Sequence, residues 1–301
     1  MKKEFSKDTH HLHDKSYKSL FSNKEIALDL FKNQLKKEWA ENLTVDDLTL
    51  MDKSFITEDY KELESDLVYK ASINGEEVFF YILIEFQSTI DYRMPLRLLF
   101  YIYEILRKYA KETKDSKSNK NFKVPAVVPI VLYNGEEVWK VPTNFRDIIK
   151  NQELFGDNLL NFKYDVIDVN NDYTKEELLE KKNISSVIFL LDQKVNVIEL
   201  LGRIAEIAYF FDELSESEKK SIKSWIKNTI QKDVAQSFIK ILQSDREEME
   251  KMVANNAFVF TETMDKTREE GREEGREEGI NLTKKVFKLA ISGLSEDAIA
   301  K

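Results

Sequence analysis

The chain has no cysteine, so neither disulfides nor a thiolate zinc site can contribute to its stability or chemistry. That suits a cytoplasmic protein. Long apolar runs are also lacking: the longest, Phe79 to Ile84 and Val124 to Leu132, fall well short of the roughly 20 residues a membrane helix needs. No bilayer span and no membrane partner are expected. Met1 to Asp8 carry charge with no apolar segment behind them, so no secretory signal is expected either. Finally, there is no excess of basic charge, because 46 Lys and Arg face 55 Asp and Glu for a net of −9. Residues 245–301 hold 10 basic and 14 acidic side chains, a net of −4, which leaves −5 for residues 1–244. A broad basic coat for nucleic acid is therefore excluded. If the protein meets DNA, it must do so through a local basic rim around carboxylates that a metal neutralises.

What remains is a globular composition, 42% hydrophobic and 34% charged over 301 residues, enough for one large core or two modest ones. His13 to Lys36 has a helical apolar stripe broken near Ser22-Asn23, which predicts two successive helices. Residues 64–73 and 77–87 read as strands joined at Asn74-Gly75, a strong hairpin cue. Tyr92 to Lys111 is helical, with Pro95 tolerable in the first turn. Lys111 to Asn121 is a polar surface loop, and Val124 to Tyr133 is a strand covered on both faces. Tyr164 to Val169 adds a short strand, and helical patterning follows Thr174. The fold expected is α/β: a central mixed sheet flanked by helices, with a helical C-terminal extension. Two units are expected, residues 1–240 and a helical extension 241–301. The latter contains the repeat Arg268-Glu269-Glu270-Gly271, Arg272-Glu273-Glu274-Gly275, Arg276-Glu277-Glu278-Gly279. Its glycines weaken the helix by about 1 kcal/mol each relative to alanine, so neighbouring helices or a partner must supply the rest. A homo-oligomer formed through this repeat is the expectation.

Chemistry concentrates on the hairpin. A two-residue turn at Asn74-Gly75 sets Ile73 opposite Glu76, which puts Asp66 opposite Leu83 and Glu64 opposite Glu85. A four-residue turn would put Asp66 opposite Glu85 itself. In either register Glu64, Asp66, Val68 and Lys70 share a face with Phe79, Tyr81, Leu83, Glu85 and Gln87. The other face, including Leu67, Tyr69, Phe80 and Ile82, is apolar. Carboxylates at the end of such a strand are costly to bury unpaired, and two of them with a carbonyl oxygen form a hard oxygen site suited to Mg²⁺. The competing reading has Asp66 and Glu85 at strand ends, facing solvent or paired with Arg93 and Arg97.

Five ordered segments carry a family resemblance: His13 to Ser22, Glu64 to Lys70, Ile84 to Ser88, Met94 to Tyr101, and Pro129 to Gly135. Together they resemble the Rpn recombination-promoting nucleases, also called putative transposases, of the PD-(D/E)XK superfamily with its restriction-endonuclease-like fold. The resemblance implies a metal-dependent DNA endonuclease in which Asp66 is the motif aspartate and Glu85 the second acidic ligand. Gln87 then stands where the superfamily usually has lysine; it can orient a water but brings no positive charge. Lys70 is a candidate source of that charge. Asp14 matches the N-terminal acidic residue that approaches the metal, with a helix-terminal charge as its plainer role. Glu64 is either near the site or simply solvent-facing. His10, His11 and His13 are the only histidines, and the resemblance suggests a place near the site for His13 alone.

Arg93, Arg97 and Tyr101, at i, i+4 and i+8 along one helix, are the candidate DNA contacts, while Arg107 reads as a solvated residue. Two other functions compete with the nuclease. One is a nuclease-fold protein of weak activity serving as a DNA-binding or assembly module. The other is a true transposase, although the sequence contains no helix-turn-helix to read an element's ends.

Overall fold

A computed structural model describes residues 13, 15–35, 37–51, 67–73, 75–85, 90–113 and 119–291. For 83–85 and for 263–265, 267, 268, 270, 271, 283 and 285–291 it describes the backbone only. The N-terminal apolar stripe forms α1 (residues 15–21) and α2 (Lys24–Asn33). The break falls at Asn23, whose side chain accepts from the Glu25 amide and so caps α2. After the short α3 (Glu38–Glu41) come β1 (Leu48–Leu50), β2 (Leu67–Ile73) and β3 (Glu76–Glu85).

The β2–β3 turn has Gly75 at φ 81°, a conformation glycine adopts without a Cβ clash. Pairing runs from Ile73↔Glu76 to Leu67↔Ile82, the register of a two-residue hairpin. Helix α4 (Met94–Glu112), with Pro95 in its first turn, then crosses to β4 (Ala126–Tyr133), parallel to β3; α5 (Gln152–Phe155) precedes β5 (Asp165–Asp168), parallel to β4. The sheet order is β1-β2-β3-β4-β5, antiparallel in its first half and parallel in its second.

Both faces of the sheet are buried. On one, Tyr69, Phe80, Ile82 and Leu132 meet α1, α2 and the later helices α6 (Lys175–Lys181), α7 (Ile184–Asp192), α8 (Val197–Ala208), α9 (Glu216–Thr229) and α10 (Lys232–Gln243). On the other, Val68, Phe79, Tyr81 and Val131 lie beneath Met94, Leu98, Tyr101 and Ile105 of α4. Burying both faces explains the near-continuous apolar run of β4. The last helix, α11 (Arg246–Ile291), begins inside this core: Met249 is buried, and Met252, Val253, Ala257 and Phe260 pack against it. The packed unit therefore reaches Phe260, past the boundary expected at residue 240. No described helix is long and apolar enough to cross a membrane.

Candidate functional site

Because β3, β4 and β5 are parallel, their carboxyl ends Glu85, Tyr133 and Asp168 meet at one edge of the sheet, in pairs Glu85↔Tyr133 and Tyr133↔Asp168. The antiparallel β2 begins at that same edge, with Leu67 opposite Ile82. Of the candidate site residues, Glu85 is placed there by its backbone, while Asp14, Glu64, Asp66 and Gln87 lie outside the described residues. The hairpin register, read as far as Leu67↔Ile82, is that of the two-residue turn. Among the described residues no group of three or more His, Asp or Glu side chains is arranged to hold a metal ion.

Lys70 is directed elsewhere. It sits opposite Phe79 and its ammonium pairs with Glu77, near the turn of the hairpin. Six residues of strand, about 20 Å at the usual rise, separate Phe79 from Glu85. Lys70 is therefore a turn-side ion pair rather than the source of positive charge beside Gln87.

The expected arginine stripe is shortened as well. Arg93 is exposed and donates to Asp91 from its Nε at 3.1 Å, and Arg97 Nη1 lies 3.5 Å from the same carboxylate. Burial acts to raise the Asp91 pKa, but the Arg93 hydrogen bonds and the Arg93 and Arg97 charges outweigh it and hold the carboxyl below its ordinary value. Tyr101, by contrast, is 3% exposed and stacks on Tyr81 with ring centroids 4.7 Å apart. An i, i+4, i+8 series turns about 40° per step on a helix of 3.6 residues per turn, so by Tyr101 it has rotated about 80° into the buried face. The surface carries Arg93 and Arg97 without Tyr101. Arg107 pairs with Glu104 one turn back at 2.5 Å.

The same edge holds a polar network. Asp192, at the end of α7, has a fully buried side chain. Its Oδ2 accepts from the Tyr17 hydroxyl at 2.6 Å and from the amide of Asn134, the residue after β4. Its Oδ1 lies 3.0 Å from His13 Nδ1. Burial first, and then the Asp192 charge, push the Tyr17 hydroxyl well above its usual pKa, so it remains a donor. Asn170, two residues past β5, donates to the Asn134 side-chain oxygen and to the Gly135 carbonyl at 3.0 Å. Asp168, 2% exposed, is satisfied by the Trp139 amide at 3.1 Å and by Asn171, and so clamps the loop after β4. Sequence reasoning missed Asp192. Its only signal was a lone carboxylate closing the apolar run Val187 to Leu191.

The sequence pattern of the family described as "Putative transposase, YhgA-like" matches residues 11–222, most of the chain. The chain belongs to this family. The matched span takes in α1, the whole sheet and the Asp192 network. Among its relatives, the recombination-promoting nuclease RpnC of Escherichia coli K12 is 24% identical over 202 residues, 67% of this chain and 64% of RpnC. Recombination-promoting nuclease RpnD of Escherichia coli O157:H7 is 28% identical over 123 residues, 41% of this chain and 45% of RpnD. The inactive recombination-promoting nuclease-like protein RpnE of Escherichia coli K12 is 26% identical over 124 residues, 41% of this chain and 39% of RpnE. The chain thus spans less than two thirds of the length of each of these three relatives. No solved structure matches the chain significantly.

Proposed function

We propose that the protein is a divalent-metal-dependent DNA endonuclease of the PD-(D/E)XK type, acting in recombination or on mobile elements. The observation that carries this reading is the hairpin: the chain enters β2 at Leu67, at the sheet edge where β3 ends on Glu85, and Asp66 is the residue that precedes Leu67 in the sequence. Membership of the YhgA-like family, with relatives named as nucleases, supports it.

Asp66 and Glu85 are the metal ligands in this proposal, and Gln87 orients the attacking water through its amide. The donor set consists of carboxylate oxygens, which fits a hard cation such as Mg²⁺. Such a cation, when bound, polarises the scissile phosphodiester and activates water. Arg93 and Arg97 hold backbone phosphates at the start of α4, with Asp91 limiting how far their side chains stray.

A weakly active assembly module is the second reading, favoured by relatives named as inactive. Calorimetric titration of Mg²⁺ into the wild type, Asp66→Ala and Glu85→Ala separates the two. The nuclease reading expects one saturable site that each substitution weakens, because each removes a ligand carboxylate. Identical titrations in all three would contradict the assignment of these residues to the metal.

A further inference from the structure

The donors and acceptors of the edge network can be fixed starting from the backbone. The Lys194 amide N–H donates to Asn170 Oδ1 at 2.9 Å. The Asn170 amide nitrogen is therefore the end that faces Asn134 Oδ1 and the Gly135 carbonyl. Asn134 must then turn its own nitrogen to Asp192 Oδ2, which also accepts from Tyr17. Asp192 is an acceptor throughout, so its remaining oxygen, Oδ1, calls for a donor at His13 Nδ1. An imidazole that donates from Nδ1 carries, when neutral, its lone pair on Nε2.

Asp192 is also held from behind. The next residue, Gln193, donates to the Val169 carbonyl at 2.9 Å and the Tyr173 carbonyl at 3.0 Å, and it accepts from the buried Arg203 at 2.8 Å. The His13 ring meets Trp225 edge-on at 6.0 Å, and Tyr17 meets the same indole at 4.4 Å. Yet the His13 side chain is 27% exposed while that of Asp192 is fully buried. A solvent-reachable imidazole is thus locked by a carboxylate that no substrate can touch. A chain of contacts connects it to the sheet edge: Glu85 pairs with Tyr133, Asn134 follows Tyr133, Asn134 bonds Asp192, and Asp192 bonds His13.

We propose that Asp192 is a positioning residue of the nuclease site, holding His13 in its Nδ1–H tautomer at the end of the sheet where β3, β4 and β5 terminate. This rests on the nuclease reading. The role resembles that of a carboxylate behind a metal-ligating histidine, where loss of the carboxylate costs about 10- to 100-fold in metal affinity or activity.

The test uses the full chain and its three histidines, whose ring nitrogens long-range ¹⁵N–¹H correlation can resolve at about pH 8.5, where an ordinary imidazole is neutral. One ring, assigned by its loss in His13→Gln, should be in the Nδ1–H form in the wild type and shift toward Nε2–H in Asp192→Asn. Metal-dependent plasmid nicking by Asp192→Asn should fall about 10- to 100-fold in kcat with little change in KM, and should fall no further when Asp192→Asn is added to His13→Gln. A wild type with no Nδ1–H ring overturns the proposal without any need for Asp192→Asn to fold. A cutting enzyme whose tautomer is unchanged in Asp192→Asn, or whose losses add, overturns the positioning role and leaves the nuclease reading standing. A wild type that does not cut overturns both.

Discussion

At Asp91 the balance between burial and two guanidinium groups has a measurable consequence. The folded-state pKa is depressed, so the carboxylate contributes stability at neutral pH. That contribution is fully present above the unfolded-state value of about 4 and is lost as pH falls through the lower folded value. The stability difference between wild type and Asp91→Asn, followed by thermal unfolding, should therefore be constant above about pH 5 and shrink in more acidic solution. Gly135 is constrained by space rather than charge. A Cβ there would fall 1.8 Å from the Tyr133 hydroxyl, whose ring is buried and which donates to the Glu137 carbonyl at 2.9 Å. Gly135→Ala should cost about 1–3 kcal/mol in urea unfolding, the range for forcing a methyl into packed space. The position of Glu85 at the end of β3 could be read from sequence because strand alternation and the Asn74-Gly75 turn are local signals. Asp192 could not, since its partners His13, Tyr17 and Asn134 come from segments 58 to 179 residues away, and no local pattern encodes that meeting.

Among the elements, those with strong periodicity were legible. The N-terminal helix pair with its break, the hairpin register, α4 and β4 all follow from patterns within a single segment. The three-residue β1 is too short to show alternation and exists because it pairs with Tyr69 to Ala71 of β2. The faces of α4 were only partly legible, since the drift of an i+4 series takes Tyr101 from the arginine side into the core. At the junction of α1, α9 and the edge network, Trp225 is 2% exposed and contacts both Tyr17 and His13. Trp225→Ala should destabilise the protein by about 3–5 kcal/mol, as truncation of a buried large aromatic does. Denaturant unfolding checks this, and a loss below about 1 kcal/mol would show that α9 contributes little to holding α1.

For the whole molecule, α11 divides into a packed start and an exposed continuation. Phe260 still packs against the core, whereas every described residue from Arg272 to Leu282 is exposed. Residues 261–291 extend about 45 Å at the helical rise. Truncation before Thr261 should leave thermal stability near that of the full chain, while truncation before Asp245, which removes Met249, Met252 and Phe260, should lower it clearly. The repeat's glycines permit close helix approach and its Arg and Glu can pair across helices, so we expect the shorter truncation to weaken self-association in sedimentation. An unchanged oligomer would assign assembly to another surface. The central claim is the metal-dependent cutting of DNA at the edge shared by β2 and β3. It is tested most directly by incubating supercoiled plasmid with purified wild type, Asp66→Ala and Glu85→Ala, each with Mg²⁺ and with excess chelator. The account predicts nicked or linear product from the wild type with Mg²⁺ alone; equal cleavage by all three proteins, or cleavage that survives the chelator, would contradict it.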